Sequence, residues 1–294
     1  MKRFVFAALM AGMASQAMAD GFAGRVVSYN AGATPAARTY WQDEFPWGLM
    51  ETAILTDPSS ALGEPARFVD EPHHTLSPGS IVSPFSPAAN EDQIVSIGEG
   101  GSLTLELENY AVVGPGADIG LFTNLGLQDA GWPDGKAGDP AGPFGIIDSA
   151  IVEVSYDRSS WISLGTLTPD VPTSAWTDAS EPYAASTAGL TAADFSAPFA
   201  GRLSDFDGKT LAEINTMLAG SGGGYWLDLS GTGLIEIGYI RFSVPDDGDA
   251  GAFGNFELDA VSIASGHLGA PLPEPCSMSL LALGGVALVR RRRK

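Results

Sequence analysis

Hard oxygen donors gather between residues 246 and 259. Asp246, Asp247 and Asp249 stand in an acidic loop, Asn255 follows, and Asp259 lies inside the apolar run 256–264. Carboxylate and amide oxygens are the ligands Ca²⁺ takes, and Asp246, Asp249, Asn255 and Asp259 are the set on offer. Their spacing matches neither an EF-hand nor a nonapeptide calcium repeat. Asp259 shares strand parity with Val261 and Ile263, so if those face a core Asp259 does too. A carboxylate there must be paired, hydrogen-bonded or metal-bound. The alternative is a solvated acidic loop beside an aspartate that accepts backbone N–H bonds.

A second concentration is Tyr40-Trp41-Gln42-Asp43-Glu44-Phe45-Pro46-Trp47. Flat rings beside acceptors suit a sugar, whose C–H face stacks while its hydroxyls donate, which makes Trp41 and Trp47 the candidate glycan residues. The same rings could equally plug one end of the core. His73 and His74 are adjacent, so in an extended backbone they face opposite ways and do not share a metal. No catalytic residue is assigned. The chain has no G-x-S-x-G elbow, no His-rich metal motif and no phosphate loop after a strand. A glycosidase needs two carboxylates roughly 5 to 9.5 Å apart, and 35 acidic residues do not sort themselves into such a pair. A non-catalytic protein is expected, with a secreted carbohydrate-active hydrolase as the alternative.

The two ends carry a different kind of information. Lys2 and Arg3, the apolar run 4–14 and the small-x-small site Ala17-Met18-Ala19 read as a signal peptide over residues 1–19, cut before Asp20. At the other end, Pro273-Glu274-Pro275 precedes an apolar stretch, residues 276–289, and then Arg290-Arg291-Arg292-Arg293-Lys294. Those 14 residues give about 21 Å of helix, short of a ~30 Å hydrocarbon core. The stretch is nevertheless apolar on all sides, contains Gly284-Gly285, and runs without a spacer into a charge cluster that stays on the cytoplasmic side. A transmembrane helix with its membrane stop at Arg290 to Lys294 is the expectation.

This arrangement resembles the PEP-CTERM sorting signal of exported proteins in Gram-negative bacteria that make extracellular polysaccharide. The resemblance rests on Pro273, Glu274 and Pro275, the apolar segment and the five basic residues, under a tenth of the chain. It implies processing near the Pro-Glu-Pro by exosortase, a membrane-embedded cysteine protease. The inner membrane would then hold a precursor through the tail before the protein reaches the cell surface or the outside.

Composition agrees with an outdoor life. Of 15 Lys and Arg, two lie in the leader and five in the tail, so eight remain against 35 Asp and Glu, a formal charge of −27. A surface that acidic repels nucleic acid and anionic lipid. Cys276, the one cysteine, lies in the tail, so the exported part has neither a disulfide nor a thiolate site. About 250 residues bury a core without such staples.

The elements that must position these groups are mostly strands. With 37 Gly and 20 Pro among short apolar runs, the interior reads as all-β: a single β-sandwich over residues 20–269, with one short helix and long loops, and the sorting tail over 270–294. Strands are expected at 25–29, 102–108, 117–123 and 225–229, a hairpin over 150–164 with Val152, Val154 and Tyr156 on one face, and a last pair at 234–244 and 256–264. In the first of that pair the apolar phase slips from Ile235 and Ile237 to Ile240 and Phe242, which implies a bulge near Gly238. Thr210 and Glu213 form a capping box for a helix at 211–219, with Leu211, Ile214 and Leu218 on one face and Gly220 as its stop. Residues 168–201 are irregular, and 130–144 are a long loop rich in Gly and Asp.

The runs 60–65, 98–109, 114–124, 150–157, 239–247 and 256–261 also resemble the ectodomain pattern of a subset of PEP-CTERM surface proteins, themselves similar to jelly-roll galactose- or carbohydrate-binding modules. That resemblance implies a jelly-roll-like sandwich and binding of glycan or Ca²⁺. The partner it points to is exopolysaccharide, in a biofilm or matrix setting.

Overall fold

The computed structural model describes residues 21–41, 50–69, 79–145, 148–246 and 255–273, with 39–41 and 50–51 as backbone alone. In chain order the strands are β1 (Ala23–Asn30), β2 (Ala37–Trp41), β3 (Met50–Ile54), β4 (Phe68–Val69), β5 (Ser80–Ile81), β6 (Val95–Ile97) and β7 (Ser102–Val112). They continue with β8 (Ile119–Thr123), β9 (Ala150–Ser155), β10 (Ile162–Leu167), β11 (Tyr225–Leu227), β12 (Glu236–Ser243), β13 (Phe256–Ile263) and β14 (Leu268–Pro271). One helix, α1 (Leu211–Leu218), stands among them. Among the described residues the protein is mostly β, with one short α-helix, as its alternating apolar runs lead one to expect.

One antiparallel sheet runs β1-β7-β12-β9-β10, with β14 pairing the far half of the long β7; a second runs β11-β8-β13-β6. The two enclose a common apolar core. Leu103, Leu105 and Leu107 of β7, Val152 and Val154 of β9 and Ile240 and Phe242 of β12 meet Ile119, Leu121, Leu258 and Val261 from the other sheet, all at 1% exposure or less. Phe242 stacks on Phe256 across that core, ring centroids 5.4 Å apart.

The four-stranded sheet is also covered on its other face. Phe122 and Ala260 point into a second apolar cluster with Ile81, Ile94, Phe195, Phe206 and the buried face of α1, Leu211, Ile214 and Leu218. Ile119 and Leu121 therefore serve one core and Phe122 the other, the out-of-phase pattern expected of β8. Much of this second cluster is supplied by irregular chain, including Val171, Ala175, Trp176 and Phe195.

The expected bulge is present: pairing of β12 with β7 slips between Ile237 and Tyr239, at Gly238. Other expectations need correction. Strands β12 and β13 follow each other in the chain but lie in different sheets, and residues 247–254 between them are outside the described residues. Tyr156 does not continue the face of Val152 and Val154; β9 ends at Ser155, whose hydroxyl accepts the N–H groups of Asp157 and Arg158, and Tyr156 is 46% exposed. Among the described residues no helix is long and apolar enough to cross a membrane.

Candidate functional site

A cleft of about 1000 Å³ lies at the end of the four-stranded sheet where β8 finishes and β13 begins. The pairing of Leu258 with Thr123 sets its floor, because one step beyond it Glu257 and Asn124 come opposite each other. Asn124 donates from Nδ2 to Glu257 Oε2 at 2.7 Å. The approach to β9 brings Asp148 against the same carboxyl group, and the two acids are hydrogen-bonded to each other.

Two carboxyl groups in contact cannot both ionise cheaply. Burial first, and then the Glu257 charge and hydrogen bond, push Asp148 up to about 8, while burial raises Glu257 against the bonds it accepts from Asn124 and Asp148. The two acids therefore share one proton, and near neutrality the pair carries a single negative charge.

The cleft wall is a doubled-back tongue of chain. Gln128 N donates to Gly142 O at 2.9 Å and Phe144 N to Gly126 O at 2.7 Å. The tip is stapled by Asp129, whose Oδ1 accepts Gly131 N and Lys136 N, both at 3.0 Å, and whose Oδ2 accepts Gly135 N and the Tyr183 hydroxyl, both at 3.1 Å. Gly135 has φ of +72°, a conformation the turn needs and glycine takes without cost. The tongue presents two rings to solvent, Trp132 at 74% and Phe144 at 77% exposure. Arg38 of β2 borders the opening.

Hydrolysis of a glycosidic bond needs carboxyl groups separated by several ångströms, roughly 5 Å at the least, with the substrate between them. Asp148 and Glu257 touch.

The expected calcium set is not brought together by the described residues. Asp259 is 1% exposed, so the burial that strand parity with Val261 and Ile263 implies is observed. The ladder slips between Leu258 and Ala260, which is how Leu258 and Val261 both reach the inner core. The Asp259 oxygens accept Ala66 N at 3.1 and 3.2 Å, and burial pushes its carboxyl up to about 8. Asp246 lies against Gly100, Asn255 lines the cleft, and Asp249 is outside the described residues. Among the described residues no three His, Cys, Asp or Glu side chains are grouped to hold a metal.

The other expected site residues mostly fall outside the description. The Trp41 backbone pairs with Met50 in the β2–β3 hairpin, while its side chain, and Trp47 entirely, are not described. Ala17, Ala19, the adjacent His73 and His74, Glu274, Pro275 and Arg290 to Lys294 are outside as well; Pro273 is exposed just after the buried Leu272. Sequence reasoning missed Asn124, Trp132, Phe144, Asp148 and Glu257. The available signal was two large aromatic residues in a polar Gly-, Pro- and Asp-rich loop with no apolar period to bury them.

A second surface was a competitor: the outer face of the six-stranded sheet, where Arg241 lies 4.3 Å over Trp161. Its charges are already matched, Arg241 to Glu153 at 2.6 Å and Arg25 to Glu106, so it reads as a self-satisfied face. No protein-family model matches this chain, and no curated protein matches it.

Proposed function

We propose that this chain is an exported surface or matrix protein whose folded part, a jelly-roll-like β-sandwich, is a non-catalytic binding module for exopolysaccharide. The observation that carries the reading is the combination of a leader, residues 1–19, with a Pro-Glu-Pro, apolar and basic segment order over 273–294. Exosortase would act on that second segment, and the inner membrane would hold the precursor until it does. An exposed Pro273 following the last described strand supports access of a protease to the junction. The excess of 35 acidic over 15 basic residues supports an exterior protein that avoids nucleic acid and anionic lipid.

Binding is favoured over hydrolysis because the cleft's acids are in contact with each other and hold a proton between them. Mass spectrometry of the protein isolated from its own producer tests the sorting. The expected masses begin at Asp20 and end near Pro275. An intact chain recovered from the cytosol, with residues 290–294 attached, would overturn the reading.

A further inference from the structure

The cleft beside β13 is specific enough in its chemistry to name a ligand class, an inference that rests on the binding-module reading above. We infer that it takes an uncharged saccharide, with Trp132 and Phe144 stacking on sugar faces and Asn124, Gln128 and the Asp148–Glu257 pair bonding to hydroxyls.

Three observations converge on this ligand. The first is the cost of the rings. Two large aromatic side chains at 74% and 77% exposure forgo the favourable burial that rings of their size ordinarily find, and they line the same cleft. The turn that carries Trp132 is pinned by four hydrogen bonds to Asp129, and Phe144 is held through its own N–H to Gly126. Their presentation is therefore built in advance, which lowers the entropy lost on binding.

The second is the mixture on the floor. An apolar peptide would shut water away from Gln128 and from the donor and acceptor positions that Asn124, Asp148 and Glu257 do not use on one another, and would offer them nothing in return. A pyranose offers a C–H face to each ring and several hydroxyls that both donate and accept. Those hydroxyls suit a floor made of amides and a proton-sharing pair.

The third is charge. Asp129 spends its oxygens on the tongue, and Glu257 spends its own on Asn124 and Asp148. Among the described lining residues, Asp129, Asp148 and Glu257 already have partners and are not open to seat an amine, and Arg38 at the rim offsets part of their negative charge, so the lining has no strong excess of either sign to select a charged sugar.

The test is affinity electrophoresis of the full-length protein in gels containing dextran, galactomannan or a β-glucan as uncharged probes, alginate as the anionic probe and chitosan as the cationic one. Retardation by at least one uncharged probe is expected, weakened about fivefold to tenfold by Trp132→Ala and by Phe144→Ala. Melting temperatures should not move, because neither ring is packed in a core. Trp161→Ala, on the outer sheet face, should bind as the parent does. Retardation by alginate or chitosan alone, or equal retardation of the parent and the Trp132→Ala/Phe144→Ala double variant, would overturn the assignment. Correctly processed protein that no uncharged probe retards would overturn this inference and leave the export reading standing. An unprocessed cytosolic chain that still binds through Trp132 would do the reverse.

Discussion

Asp259 and Asp148 are acids whose protons are worth more in the folded chain than outside it. Both are pushed up to about 8, mainly by burial, whereas a solvated aspartate titrates near 3.9. Below about pH 4 both states are protonated and the two sites cost least. Between about 4 and 8 the unfolded chain releases protons that the folded chain keeps, so stability falls as pH rises through that window. Asp157, Asp178, Glu213 and Asp228 shift downward, held by hydrogen bonds from nearby Ser and Thr, so they add nothing to the slope above pH 5. The protein should therefore melt higher at pH 5.5 than at pH 9. Asp259→Asn keeps an oxygen for Ala66 N–H and removes the charge. It should flatten that difference, stabilising the fold at both pH values but by more at pH 9 than at pH 5.5. A variant with the parent's pH slope would show that Asp259 is not the group responsible.

At the level of single elements, local sequence rules work best where an element is bounded by its own side chains. Helix α1 is an example. Thr210 Oγ1 accepts Glu213 N, Glu213 Oε2 accepts Thr210 N at 2.9 Å, and Leu211, Ile214 and Leu218 are buried. The helix ends one residue before the expected stop, with Ala219 in a left-handed conformation at φ of 52° and Gly220 following at +96°. Two opposite changes follow. Thr210→Ala should cost about 1 kcal/mol in urea unfolding. Ala219→Gly should gain about 0.5–1 kcal/mol in the same urea unfolding, the relief of the left-handed Cβ strain outweighing the added freedom of the unfolded chain. The binding tongue obeys other rules: its register comes from Asp129 and from backbone pairs such as Gln128 with Gly142, none of which has a hydrophobic period to announce it.

Across the whole molecule, the decisive feature is a four-stranded sheet buried on both faces. Strands β8 and β13 contribute to the inner core through Leu121 and Val261 and to the second core through Phe122 and Ala260. The irregular segment 168–201 is consequently structural: it supplies Trp176 and Phe195, with Phe195 edge-on to Phe122 at 5.3 Å and Arg67 stacked 4.4 Å over Phe195. Because both cores share the same strands, they should unfold together. Phe122→Ala in one and Phe242→Ala in the other should each cost about 3–5 kcal/mol, with far-UV and near-UV circular dichroism following one coincident transition. Separate transitions would mean that the irregular layer folds on its own.

Residues alone determined what depends on near neighbours: the strand runs of β7, β9 and β12, the bulge at Gly238, the capping box of α1 and the expectation of leader and tail. They were insufficient wherever a position's role is set by chain far away. A strand covered on both sides reads as continuous apolar sequence, so Asp259 could be placed in the interior while the slip beside it could not be foreseen. Tertiary structure alone decided that Asp148 and Glu257, more than a hundred positions apart, would share a proton, and that Trp132 and Phe144 would border one cleft. Long-range packing pays the desolvation of the first pair and the exposure of the second, and no local pattern records either.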